Sequence, residues 1–201
     1  MEKMPSLMGT QAAQGASPEA LDPRRLFDSH LAFVWRNLRR LGVAESMIED
    51  AAQDVFLVVH RRWDTWQPQR SSVETWLFGI VLRVARNHRR AQRRRLAWLL
   101  PGQDRMVLQE APSQADGPAE ILAQREAAAL LGRALAPMDE DKRAIFLMID
   151  VEQMNVTQAA VALGINLNTA YWRLRKARMA FRHSLARLNN DSNFPVRRMQ
   201  P

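Results

Sequence analysis

Apolar residues recur at intervals of three and four along most of the chain, which is the spacing of amphipathic helices. The first helix is expected over 23–41 and ends at Gly42, a residue that accepts the positive φ of a helix end. A second helix is expected over 46–63, because it begins with Ser46-Met-Ile-Glu49, which has the form of a capping box. A third begins near Val73 and runs into a series of arginines. No alternating stretch predicts a strand, so the fold class is predicted to be all-α.

A short amphipathic stretch, a glycine and a cationic second helix follow one another over residues 155–178. Asn155 and Asn166 stand where the two helices are expected to begin, and their side chains can cap free N–H groups. Gly164 lies between them and can end the first helix. From residue 168 to residue 190 there are six Arg or Lys and no acid. The spacing predicts a helix-turn-helix that binds DNA through its second helix, or else a helical hairpin with a solvated basic face.

Composition divides the chain into two small helical domains. Residues 1–22 are rich in Gly, Ala, Ser, Gln and Pro and are expected to be disordered. Residues 96–118 contain three prolines and two glycines, so they are expected to form a flexible linker. The predicted domains therefore span 23–95 and 119–188, and the polar tail at 189–201 is expected to be disordered as well.

Overall charge favours a polyanionic partner, since the net charge is +8 over 201 residues. Cysteine is absent, which excludes disulfides and thiolate metal sites, and the four histidines are scattered. No phosphate-binding glycine loop or hydrolase motif is present. We therefore predict no catalytic residue, no metal and no cofactor. No apolar run reaches the roughly 18 residues that membrane insertion requires, and a cytoplasmic location is expected.

The second predicted helix has an acidic face, whereas the third has a basic one. Asp50, Gln53 and Asp54 share one side of the second helix, either as a solvated surface or as a docking patch for a basic protein. Over residues 83–95 the third helix has seven arginines and no acid, which suits phosphate and guanine recognition. Three tryptophans, Trp63, Trp66 and Trp76, lie just before or at the start of this helix. Trp66 lies in a polar loop and is therefore a better candidate than Trp76 for stacking on an unpaired base.

Three segments together resemble a bacterial RNA polymerase sigma factor of the extracytoplasmic-function type, within the sigma-70 family. The segment Glu49-Asp-Ala-Ala-Gln-Asp-Val-Phe56 is similar to the conserved helix of the family's second region. Residues 75–90 resemble the helix that melts the promoter and reads the minus-ten element. Residues 135–139 and 155–178 resemble the fourth region, which reads the minus-thirty-five element. The order of these segments, with a linker between them, is specific to the family.

The resemblance implies a protein without catalytic activity that binds core RNA polymerase and directs promoter-specific transcription initiation. The implied polymerase-binding residues are Asp50, Gln53, Asp54, Phe56 and Leu57. The implied minus-ten DNA contacts are Trp66, Arg70, Arg83, Arg86, Asn87 and Arg90. The implied minus-thirty-five contacts are Asn168, Thr169, Tyr171, Trp172, Arg173, Arg175, Lys176 and Arg178. The implied partners are core RNA polymerase, promoter DNA and an anti-sigma factor.

Two other classes of protein can carry a helix-turn-helix. A stand-alone transcriptional regulator would bind duplex DNA without polymerase. A DNA recombinase would need a nucleophile. The single tyrosine, Tyr171, lies inside the predicted recognition helix, which argues against this class. The chain also departs from the family pattern, which often has Asn in place of Arg83 and Asp in place of Asn87. Trp172 occupies a position that is usually small and polar, where an indole can contact a thymine methyl or cover the core.

Overall fold

The computed structural model describes residues 23–99 and 118–192, and within these ranges the regular structure is helical, with no strand. The first half contains α1 (Pro23–Arg40), α2 (Ile48–Arg62) and α3 (Val73–Leu99). The second half contains α4 (Pro118–Leu135), α5 (Glu140–Phe146), α6 (Val156–Leu163) and α7 (Leu167–Ser192). A π-helical turn, Leu147–Val151, continues α5. The all-α prediction is therefore confirmed.

One predicted helix start is wrong, and one helix is longer than expected. Ser46 does not cap α2, because it lies inside a 3-10 turn, Glu45–Met47, and α2 begins without a side-chain cap. Helix α3 continues to Leu99, past the expected domain end at residue 95. The predictions for residues 1–22, for residues 100–117 of the linker and for the tail after residue 192 lie outside the described residues. The domain boundaries stay predictions.

The first half is built around apolar side chains that α1, α2 and α3 contribute to one core. Leu38, Val55, Leu77 and Phe78 have no exposed surface. Gly42 has a φ of 85° and lets the chain leave α1 and turn toward α2. The interior of this half is thus mostly apolar, with Asn37 and Thr75 as buried polar residues, and the charged side chains of α2 and α3 remain near its surface.

The helix-turn-helix follows the predicted local chemistry. The Asn155 side chain accepts hydrogen bonds from the N–H groups of Thr157 and Gln158 at 2.8 and 3.4 Å. The Asn166 side chain accepts from the N–H of Thr169 at 2.7 Å. Gly164 ends α6 in the left-handed region, with a φ of 66°. Both predicted caps and the predicted glycine turn are therefore confirmed.

The two halves of the chain pack against each other through α3 and α6. A methyl group placed at Gly79 would lie 3.5 Å from the Ala162 carbonyl oxygen and 3.8 Å from the Ala162 Cβ. Because glycine has no side chain, α3 can approach α6 closely at this point. Buried apolar side chains from both halves form one continuous core. The sequence pattern of two tethered units does not reveal this packing.

We predict that Asn155→Ala lowers the free energy of unfolding by about 1 kcal/mol, because two N–H groups of α6 lose their acceptor. Urea unfolding followed by circular dichroism measures the change. Asn155→Asp is the matched control, since a carboxylate can cap the same groups and should keep most of the stability. Equal unfolding midpoints for Asn155→Ala and the unsubstituted chain would show that this cap does not stabilise the fold.

Candidate nucleic-acid interface

Helix α7 is buried along one side and exposed along the other. Ala170, Leu174 and Ala177 recur at a spacing of three and four and are buried against the rest of the second half. Tyr171 and Trp172 point away from that core, with 54 % and 58 % of their surface exposed. The possibility that Trp172 covers core is therefore excluded, and its indole is available to a partner.

Most of the minus-thirty-five candidates lie on the exposed side of α7. Lys176 places its Nζ 5.9 Å from the centre of the Trp172 ring, so the indole and the ammonium group form one amphipathic surface. The exposed candidates, which share this side and its edges, are Asn168, Tyr171, Trp172, Arg175, Lys176 and Arg178. Thr169 and Arg173 are half-buried at its margin. This side of α7 can enter a groove of DNA.

The Arg178 side chain is held by the carboxylate of Asp150, which lies in the π-helical turn after α5. Its Nε and one terminal nitrogen donate to both oxygens of Asp150, at distances from 2.6 to 3.2 Å. This hydrogen bonding raises the pKa of the Arg178 side chain above its ordinary value. The pair lies beside an open groove of about 560 Å³ with an aromatic floor that includes Phe146 and Phe181. Hydrogen bonds to Asp150 thus fix the position of the Arg178 side chain.

The basic face of α3 is divided between free and paired arginines. Arg83, Asn87 and Arg90 are exposed on one side of the helix. Arg86 is half-buried and donates to Glu140 and, at 2.9 Å, to the Oδ1 atom of Asp141. Arg70, in the loop before α3, is exposed. The exposed part of this face is open to a nucleic acid, whereas Arg86 is already bound to carboxylates.

The expectation that Trp66 is exposed for stacking is wrong. Trp66 has 8 % of its surface exposed, and its Nε1 donates to the Ser71 carbonyl at 3.2 Å. Its ring lies 5.4 Å from that of Trp63, which in turn contacts Trp76. Packing against two partly buried indoles removes Trp66 from solvent, although the loop sequence around it is polar. The Trp66 ring, which was expected at the surface of the loop, therefore packs beneath the loop and supports it.

The acidic face of α2 is exposed as predicted. Asp50, Gln53 and Asp54 are exposed, and the Asp54 carboxylate lies 2.7 Å from the His88 Nε2 atom. Leu57 continues this face, with 53 % of its surface exposed. Phe56 is half-buried, because its ring packs at 4.5 Å on that of Phe27. The face combines negative charge with one exposed aliphatic side chain.

Sequence reasoning missed two acids and a buried arginine at the start of α5. Glu140 and Asp141 occupy the first turn, after Asp139, whose side chain caps the helix by accepting from the Lys142 N–H. Arg143 is buried, and burial lowers the pKa of its side chain to about 10. It donates to two backbone carbonyls of the chain segment before α5, at 3.0 Å each. The acids next to a capping residue were visible in the sequence, but their partners were not.

Metal and membrane chemistry have no candidate in residues 23–99 and 118–192. No group of three or more His, Asp or Glu side chains in these ranges is placed to hold a metal ion. None of the helices described there combines the length and apolarity needed to cross a bilayer.

Comparison with known proteins gives matches to both halves. Residues 26–95 match Sigma-70 region 2, and residues 125–181 match Sigma-70, region 4. The ECF RNA polymerase sigma factor RpoE of Cereibacter sphaeroides is 30% identical over 144 residues, which are 70% of this chain and 73% of that protein. The ECF RNA polymerase sigma factor SigL of Mycobacterium tuberculosis is 29% identical over 180 residues, 86% of this chain and 94% of that protein.

A solved structure has the same fold. The sigma factor RpoE of Bartonella quintana, in complex with the anti-sigma factor NepR, superposes with a TM-score of 0.57 at 22% identity. The similarity covers 80% of this chain and 96% of the solved one.

We predict that Trp172→Ala changes the free energy of unfolding by less than about 0.5 kcal/mol, because the indole is exposed. Leu174→Ala, two residues away on the buried side, is expected to cost about 2–5 kcal/mol. Guanidinium unfolding of the two variants measures the contrast. A large loss of stability in Trp172→Ala would mean that the indole serves the fold and not a partner.

Proposed function

The chain belongs to the ECF RNA polymerase sigma factors, and we propose that it divides the work of that family among three surfaces. Members of this family direct transcription initiation, and this chain is such a factor. The acidic face of α2 binds core polymerase, α3 and the loop before it bind minus-ten DNA, and α7 binds minus-thirty-five DNA. The observation that carries this assignment is the separation of charge, with exposed carboxylates on α2 and exposed guanidinium groups on α3 and α7.

The acidic face of α2 suits a basic protein partner and not DNA. Asp50, Gln53 and Asp54 are exposed on a chain with a net charge of +8, and phosphates would be repelled by the two carboxylates. Leu57 is exposed beside them and can fill an apolar pocket of the partner, with Phe56 packed behind it. An apolar anchor with charged neighbours is the usual composition of a protein-binding surface.

Minus-ten DNA is proposed to bind along the exposed side of α3. Arg83 and Asn87 offer hydrogen-bond donors to bases, and Arg90 offers charge to phosphates. Arg86 is proposed to contact a phosphate in place of Glu140 and Asp141, to which it donates in the free chain. Contacts to single-stranded bases offset the free energy that melting costs. Arg70, on the loop, is proposed to contact the same strand. Trp66 is buried, so its proposed role is to fix the shape of this loop.

Minus-thirty-five DNA is proposed to bind the exposed side of α7. Trp172, with Lys176 against its ring, provides an apolar surface for a thymine methyl. The other proposed contacts, from the side chains beside these two, are Asn168, Thr169, Tyr171, Arg173, Arg175 and Arg178. When one DNA-binding surface is bound, the other surface of the same chain is held at high effective concentration near its own element, so promoter choice depends on both surfaces.

The remaining parts of the proposal concern partners and location. An anti-sigma factor is a proposed partner, since the similar RpoE of Bartonella quintana was solved in complex with one. The chain is proposed to act in the cytoplasm, with the polymerase, and to catalyse no reaction itself. The stand-alone regulator is disfavoured because matches to both sigma regions cover the two halves of the chain.

We predict that the purified chain, mixed with bacterial core RNA polymerase and a promoter library, directs initiation at a defined subset of templates. Run-off transcription measures this activity. Asp50→Lys reverses one charge of the acidic face and should weaken binding to core polymerase by about tenfold or more, with a matching loss of transcripts at limiting concentration.

Glu126→Lys is the matched control, because it makes the same charge change at an exposed helical position of α4. It should leave both measurements unchanged. A chain that directs no initiation, yet binds duplex DNA tightly without polymerase, would instead support the stand-alone regulator.

A further inference from the structure

The helix-turn-helix lies in an uncharged stretch of a highly charged chain. Asp, Glu, Lys and Arg make up 25% of the whole chain, whereas residues 153–172 contain none of them and no His. This stretch includes α6, Gly164 and the beginning of α7. The cations of α7 start only at Arg173. The beginning of the recognition helix therefore differs in chemistry from the basic part that follows it.

Four exposed side chains at the beginning of α7 are available to a partner, and each of the four is uncharged. Leu167, Tyr171 and Trp172 have 39 %, 54 % and 58 % of their surface exposed, and Asn168 is exposed beside them. In a helix-turn-helix, the N-terminal residues of the second helix contact the base edges. The bases of a promoter are thus offered one amide, two aromatic rings and one aliphatic side chain.

This set of side chains matches A·T pairs and leaves G·C pairs without a partner. An Asn amide pairs with the N6 and N7 atoms of adenine, and an apolar surface suits the methyl group of thymine. Guanine is recognised by Arg or Lys, and the amino group of cytosine by Asp or Glu. Residues 153–172 supply none of these four residue types, so the start of α7 favours adenine and thymine.

Two of the cations that follow are held by carboxylates of the chain itself. A terminal nitrogen of Arg173 lies 3.0 Å from the Oδ2 atom of Asp141. Arg178 donates to both oxygens of Asp150. A guanidinium group that is already paired in this way has fewer donors left for the O6 and N7 atoms of a guanine.

The other two cations lie farther along the helix. Arg175 is exposed, but it follows Leu167 by eight residues, which is about 12 Å at about 1.5 Å per residue. The major groove is itself only about 12 Å wide. Lys176 places its Nζ 5.9 Å from the centre of the Trp172 ring. Arg175 and Lys176 are therefore placed to contact phosphates at the edge of the groove.

We propose that this chain recognises an A·T-rich minus-thirty-five element, in which Leu167 and Trp172 contact thymine methyl groups and Asn168 pairs with an adenine. This inference rests on the proposed function and names the DNA sequence that the α7 surface selects. Arg175 and Lys176 add affinity for any DNA, because phosphate contacts carry no sequence information. The uncharged side chains at the start of α7 choose the sequence.

The first test identifies the element itself. Run-off transcription with core polymerase on a promoter library, followed by sequencing of the templates used, should give A·T pairs at about three neighbouring minus-thirty-five positions. Initiation at templates whose minus-thirty-five elements are mostly G·C would overturn this inference and leave the proposed function intact. A chain that directs no initiation on any template would overturn the proposed function.

Uracil in place of thymine tests the methyl contact, because uracil lacks only the C5-methyl group. Each thymine of the selected element is replaced in turn. At one position or more, the unsubstituted chain should give about threefold fewer transcripts from the uracil template. Trp172→Ala should use the thymine and uracil templates equally at that position. Full use of every uracil template by the unsubstituted chain would contradict the inference.

Arg175→Ala is the matched control, since it removes an exposed side chain of α7 that is assigned to a phosphate. It should lower transcription from both templates alike and keep the ratio of about three between thymine and uracil. If Arg175→Ala also abolished this ratio, the methyl sensitivity would not depend on the indole, and the assignment of Trp172 would fall.

Adenine is tested in the same way with 7-deazaadenine, which lacks the N7 acceptor. The unsubstituted chain should lose about threefold in transcripts at the adenine that Asn168 contacts, and Asn168→Ala should be insensitive to the replacement there. Equal sensitivity of Asn168→Ala and the unsubstituted chain at every adenine would overturn the proposed pairing.

Discussion

One apolar core joins the two halves of this chain, and two carboxylates pair with three arginines beside it. Glu140 and Asp141 lie at the N-terminus of α5, where the helix dipole favours acids. Cations from α3 and α7 converge on them. In a chain with a net charge of +8, such a convergence needs nearby carboxylates, because unpaired guanidinium groups would repel one another. The acids thus balance the cations that α3 and α7 bring to this point.

The same cations serve the fold and belong to the proposed DNA-binding surfaces. Within the chain Arg86 and Arg173 pair with Asp141, and in the proposed function both would neutralise phosphates. Ion pairs that are partly open to solvent contribute about 0–1 kcal/mol each, which is small beside the binding free energy available from polymerase and DNA. These pairs can therefore be exchanged for contacts with a partner at little cost. Asp50 and Asp54 on α2 are exposed and do not take part in them.

Local features of the fold were predictable from the sequence, whereas contacts between distant segments were not. Asn155 and Gly164 act on neighbouring backbone groups, so their roles follow from position alone. Trp66 is buried by indoles on neighbouring elements, and its polar surroundings in sequence gave the wrong expectation. The approach of Gly79 to Ala162 joins residues far apart in sequence. A pattern of two helical units contains no information about such a contact.

The central claim is that the chain binds core polymerase and promoter DNA through different surfaces. Run-off transcription and binding to core polymerase measure this directly for Asp50→Lys on α2 and Trp172→Ala on α7, both at exposed positions. The account predicts that Asp50→Lys weakens polymerase binding, whereas Trp172→Ala keeps it and loses promoter selection. Full polymerase binding by Asp50→Lys would contradict it.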